Sequence, residues 1–237
     1  MSTVILYGRH AVFAALKNKN RKIIRLLVAA ENEAEVRKTF GNINFYTASK
    51  KEIEKIVPQG AVHQGFALET KPLDPPFLSD FLSECADKPK CRVLILDQVT
   101  DPQNIGAIIR SAAAFNVDAV ILQDKNAPYE SGAMAKAAAG TLELVQILRE
   151  TNLSRTIEAL KKAGFWIVGM DGYAKQKLQD VEKNAKLAIV MGSEGAGMRR
   201  LIEESCDILV RLEINKNVES LNVSTAAAVT LYELSKD

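Results

Sequence analysis

The run Leu187-Ala-Ile-Val-Met-Gly192-Ser-Glu194-Gly-Ala-Gly197 decides how the rest of the chain is read. Residues 187–191 form an apolar stretch long enough for a buried strand. It stops at a turn built on Gly192, Gly195 and Gly197, and Met198-Arg-Arg-Leu-Ile follows like the first turn of a helix. A strand that feeds a glycine turn and then a helix lets a small ligand reach backbone N–H groups, because glycine has no Cβ in the way. Glu194 is the one charged side chain in the turn, and an acid at the head of a helix also suits a capping role. The spacing is neither a P-loop, which needs Lys and then Ser or Thr after its last glycine, nor the G-x-G-x-x-G of a dinucleotide fold.

The 237 residues around this stretch allow one large domain or two modest ones, and the 47% hydrophobic and 25% charged fractions are those of a globular protein. No apolar run reaches membrane-spanning length and the N-terminus lacks the hydrophobic core of a secretion signal, so a cytoplasmic protein with no membrane partner is expected. Cys85, Cys91 and Cys206 have no C-x-x-C spacing, and His10 and His63 are far apart, so neither a disulfide framework nor a metal site is expected. Residues 1–80 hold 12 Lys and Arg against 8 Asp and Glu, whereas the remainder is slightly acidic. The first 25 residues carry six basic side chains, Arg9, Lys17, Lys19, Arg21, Lys22 and Arg25, and no acid. Such a cluster suits phosphate contacts, and it equally suits a solvated helix face.

The N-terminal part alternates. Helices are expected over 8–18, 31–40 and 49–57, the last with Ser49 and Glu52 as a capping box, and strands over 22–29, 43–47 and 62–70. Four of the seven prolines (Pro72, Pro75, Pro76, Pro89) fall in 71–90, around a short helix at 78–85. The expected division is therefore an α/β domain over 1–70, a linker over 71–90 and a second domain over 91–237. In the second, strands at 92–96, 119–122, 144–147, 165–168, 187–191 and 208–212 are separated by helices at 105–114, 131–139, 153–162, 198–204 and 221–234. This pattern predicts a mainly parallel sheet with helices on both faces, and ligands on such sheets sit at the C-terminal ends of strands.

Three loops meet that condition. Asp97 to Gly106 leads into a helix carrying Arg110, with Asn104 as its expected cap, and apolar neighbours should hold Arg110 against packed structure, where a salt bridge is the plain alternative to a functional role. The glycine turn carries Glu194. Residues 213–224 follow the last strand, and Ser220 or Asn222 is expected to cap the final helix.

Together these loops resemble the three motifs of the SpoU (TrmH-like) family of RNA ribose 2′-O-methyltransferases, in the knotted SPOUT class. The first is matched by Asp101-Pro-Gln-Asn104-Ile-Gly106-Ala-Ile-Ile-Arg110-Ser111, the second by Ile189-Val-Met-Gly192-Ser-Glu194-Gly195-Ala-Gly197-Met, and the third by Ser220-Leu221-Asn222-Val223-Ser224. Tyr7-Gly8-Arg-His-Ala11-Val12 and Ala61-Val-His63-Gln64-Gly65 look like the opening and closing of a ribosomal-protein-like RNA-binding domain. The third loop departs from the usual Ile-Pro-Met-x-Gly, with Leu212-Glu213-Ile214-Asn215-Lys216 in its place.

The resemblance implies methyl transfer from S-adenosylmethionine to a ribose 2′-hydroxyl, in a homodimer with a C-terminal trefoil knot. Carried over, it makes Asn104, Arg110, Glu194, Ser220 and Asn222 the catalytic set, and the backbone around Gly192, Leu212 and Leu221 the holder of the adenosine part. Arg9, His10, Arg21 and Lys22 are the expected RNA contacts. The expected substrate is a guanosine of 23S rRNA; the rivals are tRNA ribose methylation and a non-catalytic RNA-binding assembly factor. A nicotinamide-dependent dehydrogenase is disfavoured because no G-x-G-x-x-G follows an early strand.

Overall fold

A computed structural model describes residues 3–183 and 185–236. In chain order the elements are β1 (Val4–Tyr7), α1 (Arg9–Lys17), β2 (Ile23–Ala29), α2 (Glu33–Phe40), β3 (Tyr46–Ala48), α3 (Lys50–Glu54), β4 (Phe66–Thr70), α4 (Leu78–Glu84), β5 (Cys91–Leu96), α5 (Pro102–Ala114), β6 (Ala119–Gln123), α6 (Gly132–Ala138), β7 (Gln146–Glu150), α7 (Leu153–Lys162), β8 (Trp166–Met170), β9 (Gln176–Lys177), β10 (Lys186–Met191), α8 (Arg200–Glu204), β11 (Ile208–Arg211) and α9 (Val223–Ser235).

These elements form two compact units whose borders differ from the expected ones. The first holds the described residues through Asp74 together with Tyr129–Leu144, and the second holds Pro75–Pro128 and the described residues from Val145 onward. The proline-rich stretch is therefore not a free linker throughout: α4 belongs to the second unit, where Phe81 is buried.

The first unit is a four-stranded sheet in the order β1-β4-β2-β3, antiparallel except for β2 with β3. Strand β1 is not among the expected strands, since four apolar residues become a strand only through pairing with β4 sixty or more positions on. Phe13 meets Phe40 and Phe66 edge-on at 5.1 and 5.2 Å, which anchors α1. Ser49 and Glu52 form the expected capping box on α3. The late segment carrying α6 is fixed here by Arg21, whose guanidinium donates to Glu130 (2.6 Å), to Glu143 (2.7 Å) and to the Lys71 carbonyl (3.2 Å). Burial alone would lower the Arg21 pKa, but hydrogen bonds to Glu143 and the charge of Glu130 outweigh it and raise it.

The second unit is a seven-stranded sheet in the order β7-β6-β5-β10-β8-β11-β9, parallel at every pairing among the described residues. All six residues of β5 and all five of β6 are buried, as expected for central strands covered on both faces. Val93, Ile95, Ala188 and Val190 join Phe81, Leu153, Ile157 and Leu160 in the core on one side. On α5, Ile105, Ile108, Ile109 and Ala112 are buried, and this helix packs against α9. From β5 the chain runs outward to β6 and β7 and later returns on its other side through β10. Loops at the C-terminal ends of β5 and β10 thus flank the point where strand order reverses, which is where open parallel sheets bind ligands.

Candidate active site

The loop after β5 begins at Asp97, which is 0% exposed, and its backbone N–H donates to the Met191 carbonyl at 2.8 Å. Asp101, not Asn104, caps α5, accepting from the Gln103 N–H at 3.0 Å. The reason is Pro102: its fixed φ and missing N–H suit the first helical position, so the helix starts earlier than the apolar pattern suggests. Asn104 is thereby released from capping. Arg110 also differs from expectation. It is exposed, and among the described residues it has no side-chain partner, because the 3.6-residue period turns Ile105, Ile108, Ile109 and Ala112 inward and Arg110 outward.

The glycine turn after β10 is closed by Ser193 and Gly197, whose N–H groups donate to each other's carbonyls at 3.0 and 2.9 Å. A Cβ on Gly192 would lie inside contact distance of the Gly197 carbonyl carbon, and Gly195 and Gly197 have φ of +83° and +69°. These glycines are required by close approach and by left-handed backbone. The following helix starts at Arg200, two residues later than expected, so Glu194 is too far upstream to cap it. One pair was missed in the sequence. Arg199 donates to the buried Asp97 through its N–H (2.8 Å) and Nε (2.9 Å), tying the turn to the β5 loop. The signal was the charge of Asp97 at the end of an otherwise apolar strand.

The third loop supplies Asn222, which caps α9 with its side-chain oxygen (Ser224 N–H, 2.9 Å) and donates its amide hydrogens to Asn104 Oδ1 (3.1 Å) and Glu194 Oε2 (3.3 Å). Capping and site-building are thus one arrangement rather than alternatives. Asn104 from the first turn of α5, Glu194 from the glycine turn and Asn222 from the third loop form one hydrogen-bonded cluster.

Beside it lies a cavity of about 480 Å³ lined by Gly192, Leu212 and Leu221, all three expected cofactor positions, together with Glu194 and Ser220. Asn104, Arg110 and Asn222 are not in its lining. Four lining carboxylates, Asp171, Glu194, Glu203 and Glu219, face a single guanidinium, Arg211, which favours a ligand carrying positive charge. Met191 and Val223 form buried parts of the wall.

The expected RNA contacts divide. Arg21 is corrected outright: its side chain is 0% exposed and bound by two carboxylates, so it holds the fold. Arg9 pairs with Glu35 at 2.6 Å and lies over the Phe13 ring, yet stays partly exposed. His10 and Lys22 are exposed, and Lys22 has no side-chain partner among the described residues. His63 is a buried turn residue whose Nδ1 accepts from the Gly65 N–H. No group of three or more potential metal ligands occurs among the described residues. Nor is any described helix long and apolar enough to cross a membrane.

Residues 92–232 match the model of the SpoU rRNA methylase family, and residues 5–76 match that of RNA 2′-O ribose methyltransferase substrate binding. The chain belongs to the SpoU rRNA methylase family. Family members named 23S rRNA (guanosine-2′-O-)-methyltransferase RlmB are similar throughout. That of Coxiella burnetii is 37% identical, over 98% of this chain and 94% of its own length, and that of Vibrio vulnificus is 38% identical, over 98% and 96%. The SpoU methyltransferase AviRb from Streptomyces viridochromogenes, solved with AdoMet, superposes with a TM-score of 0.82 over 98% of this chain and 89% of its own, at 19% identity. An AdoMet-bound rRNA methyltransferase from Sinorhizobium meliloti gives 0.79 over 98% and 86%, at 22% identity. At such identities these two establish the shared fold.

Proposed function

We propose that this SpoU protein transfers a methyl group from S-adenosylmethionine to a ribose 2′-hydroxyl of RNA, its target a guanosine of 23S rRNA. The observation that carries this reading is the cluster of Asn104, Glu194 and Asn222 at the cavity lined by Gly192, Leu212 and Leu221. The residues present fit the cofactor. The cavity volume lies in the range of small-molecule sites, and its carboxylate excess suits a sulfonium and an ammonium group. Backbone groups at Gly192, Leu212 and Leu221 would hold the adenosine part. When bound, the cofactor supplies a methyl group already activated for transfer.

The protein's own task is to orient a hydroxyl and to stabilise its oxygen as the proton is lost to solvent water. An Asn104–Asn222–Glu194 network holds its amides in one orientation, pre-set for the ribose. Ser220, exposed at the cavity, offers a hydroxyl to the sugar. Arg110 is a fixed cation, since a delocalised guanidinium keeps its proton and makes a poor base. Its role is to grip a neighbouring phosphate and stabilise the developing alkoxide. Because Arg110 is exposed, unpaired among the described residues and outside its own chain's cavity lining, we assign it to the site of a second copy in a homodimer. Val229 and Tyr232, exposed on α9, give that contact an apolar component. We also read the sheet as knotted: β10 enters between β5 and β8 after both have been laid down, an order compatible with threading. Partly exposed Arg9, with His10 and Lys22, supports RNA docking by the first unit, and the cytoplasm is the compartment that fits such a substrate.

Tritium from labelled S-adenosylmethionine should enter 23S rRNA at an alkali-resistant dinucleotide. Asn104→Ala should abolish transfer while cofactor binding is retained. Label in tRNA alone would move the target to that class, and no label in either would leave only RNA binding.

A further inference from the structure

The loop after β8, residues 171–175, belongs to none of the three family motifs, yet Asp171, Gly172 and Tyr173 line the same cavity as Glu194. Tyr173 is 91% exposed and has no side-chain partner among the described residues. A lone exposed aromatic is ordinary on a protein surface. This one differs because its backbone is clamped from both sides. Asp171 accepts the Tyr173 N–H at 3.0 Å, the Asp171 N–H donates to the Val210 carbonyl at 2.9 Å, and Arg211 donates to the carbonyls of Ala174 and Lys175, the latter at 2.7 Å. Ala174 next to it is buried, and the space beside Gly172 is open to at least 4 Å. A planar ring is thus held out into solvent beside the cavity on a hydrogen-bonded loop.

We propose that Tyr173 stacks on a nucleobase of the RNA substrate and so positions the nucleotide whose ribose enters the site. This rests on the RNA methyl-transfer reading above. The exposure of Tyr173 favours RNA over the cofactor's adenine as the stacked ring. The enclosed part of the lining is apolar and buried at Met191 (3% exposed) and Val223 (5%), whereas Tyr173 stands at the solvent end. Stacking on an aromatic requires only a π-face and a splayed base, the condition under which single-stranded RNA is recognised. A pre-ordered loop loses little conformational freedom when the base arrives.

Two measurements on the full-length protein test this. In steady-state methylation of protein-free 23S rRNA, Tyr173→Ala should raise KM for RNA by about tenfold, with kcat and KM for S-adenosylmethionine unchanged, and Tyr173→Phe should restore it. Trp166 is the only tryptophan, so Tyr173→Trp in a Trp166→Phe background carries a single reporter beside the cavity. Its fluorescence should be quenched by 23S rRNA and not by S-adenosylmethionine alone. Quenching by the cofactor alone, with KM raised for the cofactor, overturns the proposal in favour of an adenine contact. Unchanged kinetics without quenching overturns it altogether. If the wild-type protein methylates no RNA, the activity reading fails, and the quenching titration still decides whether Tyr173 meets a base.

Discussion

Arg199 and Asp97 show how much a single contact contributes to placing the site. A carboxylate with no exposed surface is stabilised by an arginine whose side chain is 42% exposed. Removing the arginine leaves a buried charge without its partner; breaking a fully buried pair costs about 3–5 kcal/mol, and solvent access from the arginine side reduces this to about 2 kcal/mol. Arg199→Met should lose that much in urea unfolding and should weaken cofactor binding through the glycine turn. The thiols give a pH signature. Burial pushes the Cys206 thiol up to about 12 and raises that of Cys91, from an ordinary value of 9.0. The folded protein therefore keeps protons that the unfolded chain releases above about pH 9, so stability is full below that pH and declines as pH rises beyond it. Thermal melts across the alkaline range should show this fall, and Cys206→Ala should make it shallower.

Among the elements, the glycine turn is the least tolerant. A Cβ at Gly192 meets backbone, not a side chain that can swing aside, so the turn cannot close around it. Gly192→Ala should reduce cofactor affinity in calorimetry by at least about tenfold while far-UV circular dichroism stays native, since the strand before it is packed independently. Helices were the most legible elements. The expected 153–162 coincides with α7, whose buried Leu153, Thr156, Ile157 and Leu160 follow one helical face. Where reading failed, pairing or punctuation had won. The strand expected over 144–147 runs over 146–150 instead: Leu144 is 76% exposed, and pairing with β6 sets the register that buries Leu148. Asn104 lost its capping role to Asp101 because proline outweighed the apolar pattern.

At the scale of the whole molecule, Arg110 raises the question of which chain completes the site. If it serves a second copy, mixed dimers distinguish this cleanly. Arg110→Ala and Asn104→Ala, each inactive alone, should regain up to about half of wild-type transfer per mixed dimer when co-expressed, because one of the two sites then holds both residues. No recovery, with dimers present by light scattering, would place Arg110 in its own chain's site. By itself the sequence determined the α/β class, the run of the parallel strands and the three loops, each of which depends on local periodicity, turn chemistry or short-range motifs. The cavity positions Gly192, Leu212 and Leu221 came from its resemblance to the SpoU family, and they line the cavity. Only the tertiary structure decided that Arg21 is a buried anchor rather than a surface cation, that residues 129–144 join the first unit, and that Asn222 both caps a helix and bridges Asn104 to Glu194. A charge or an amide is assigned its role by partners brought from up to 122 positions away, and no local pattern encodes those distances.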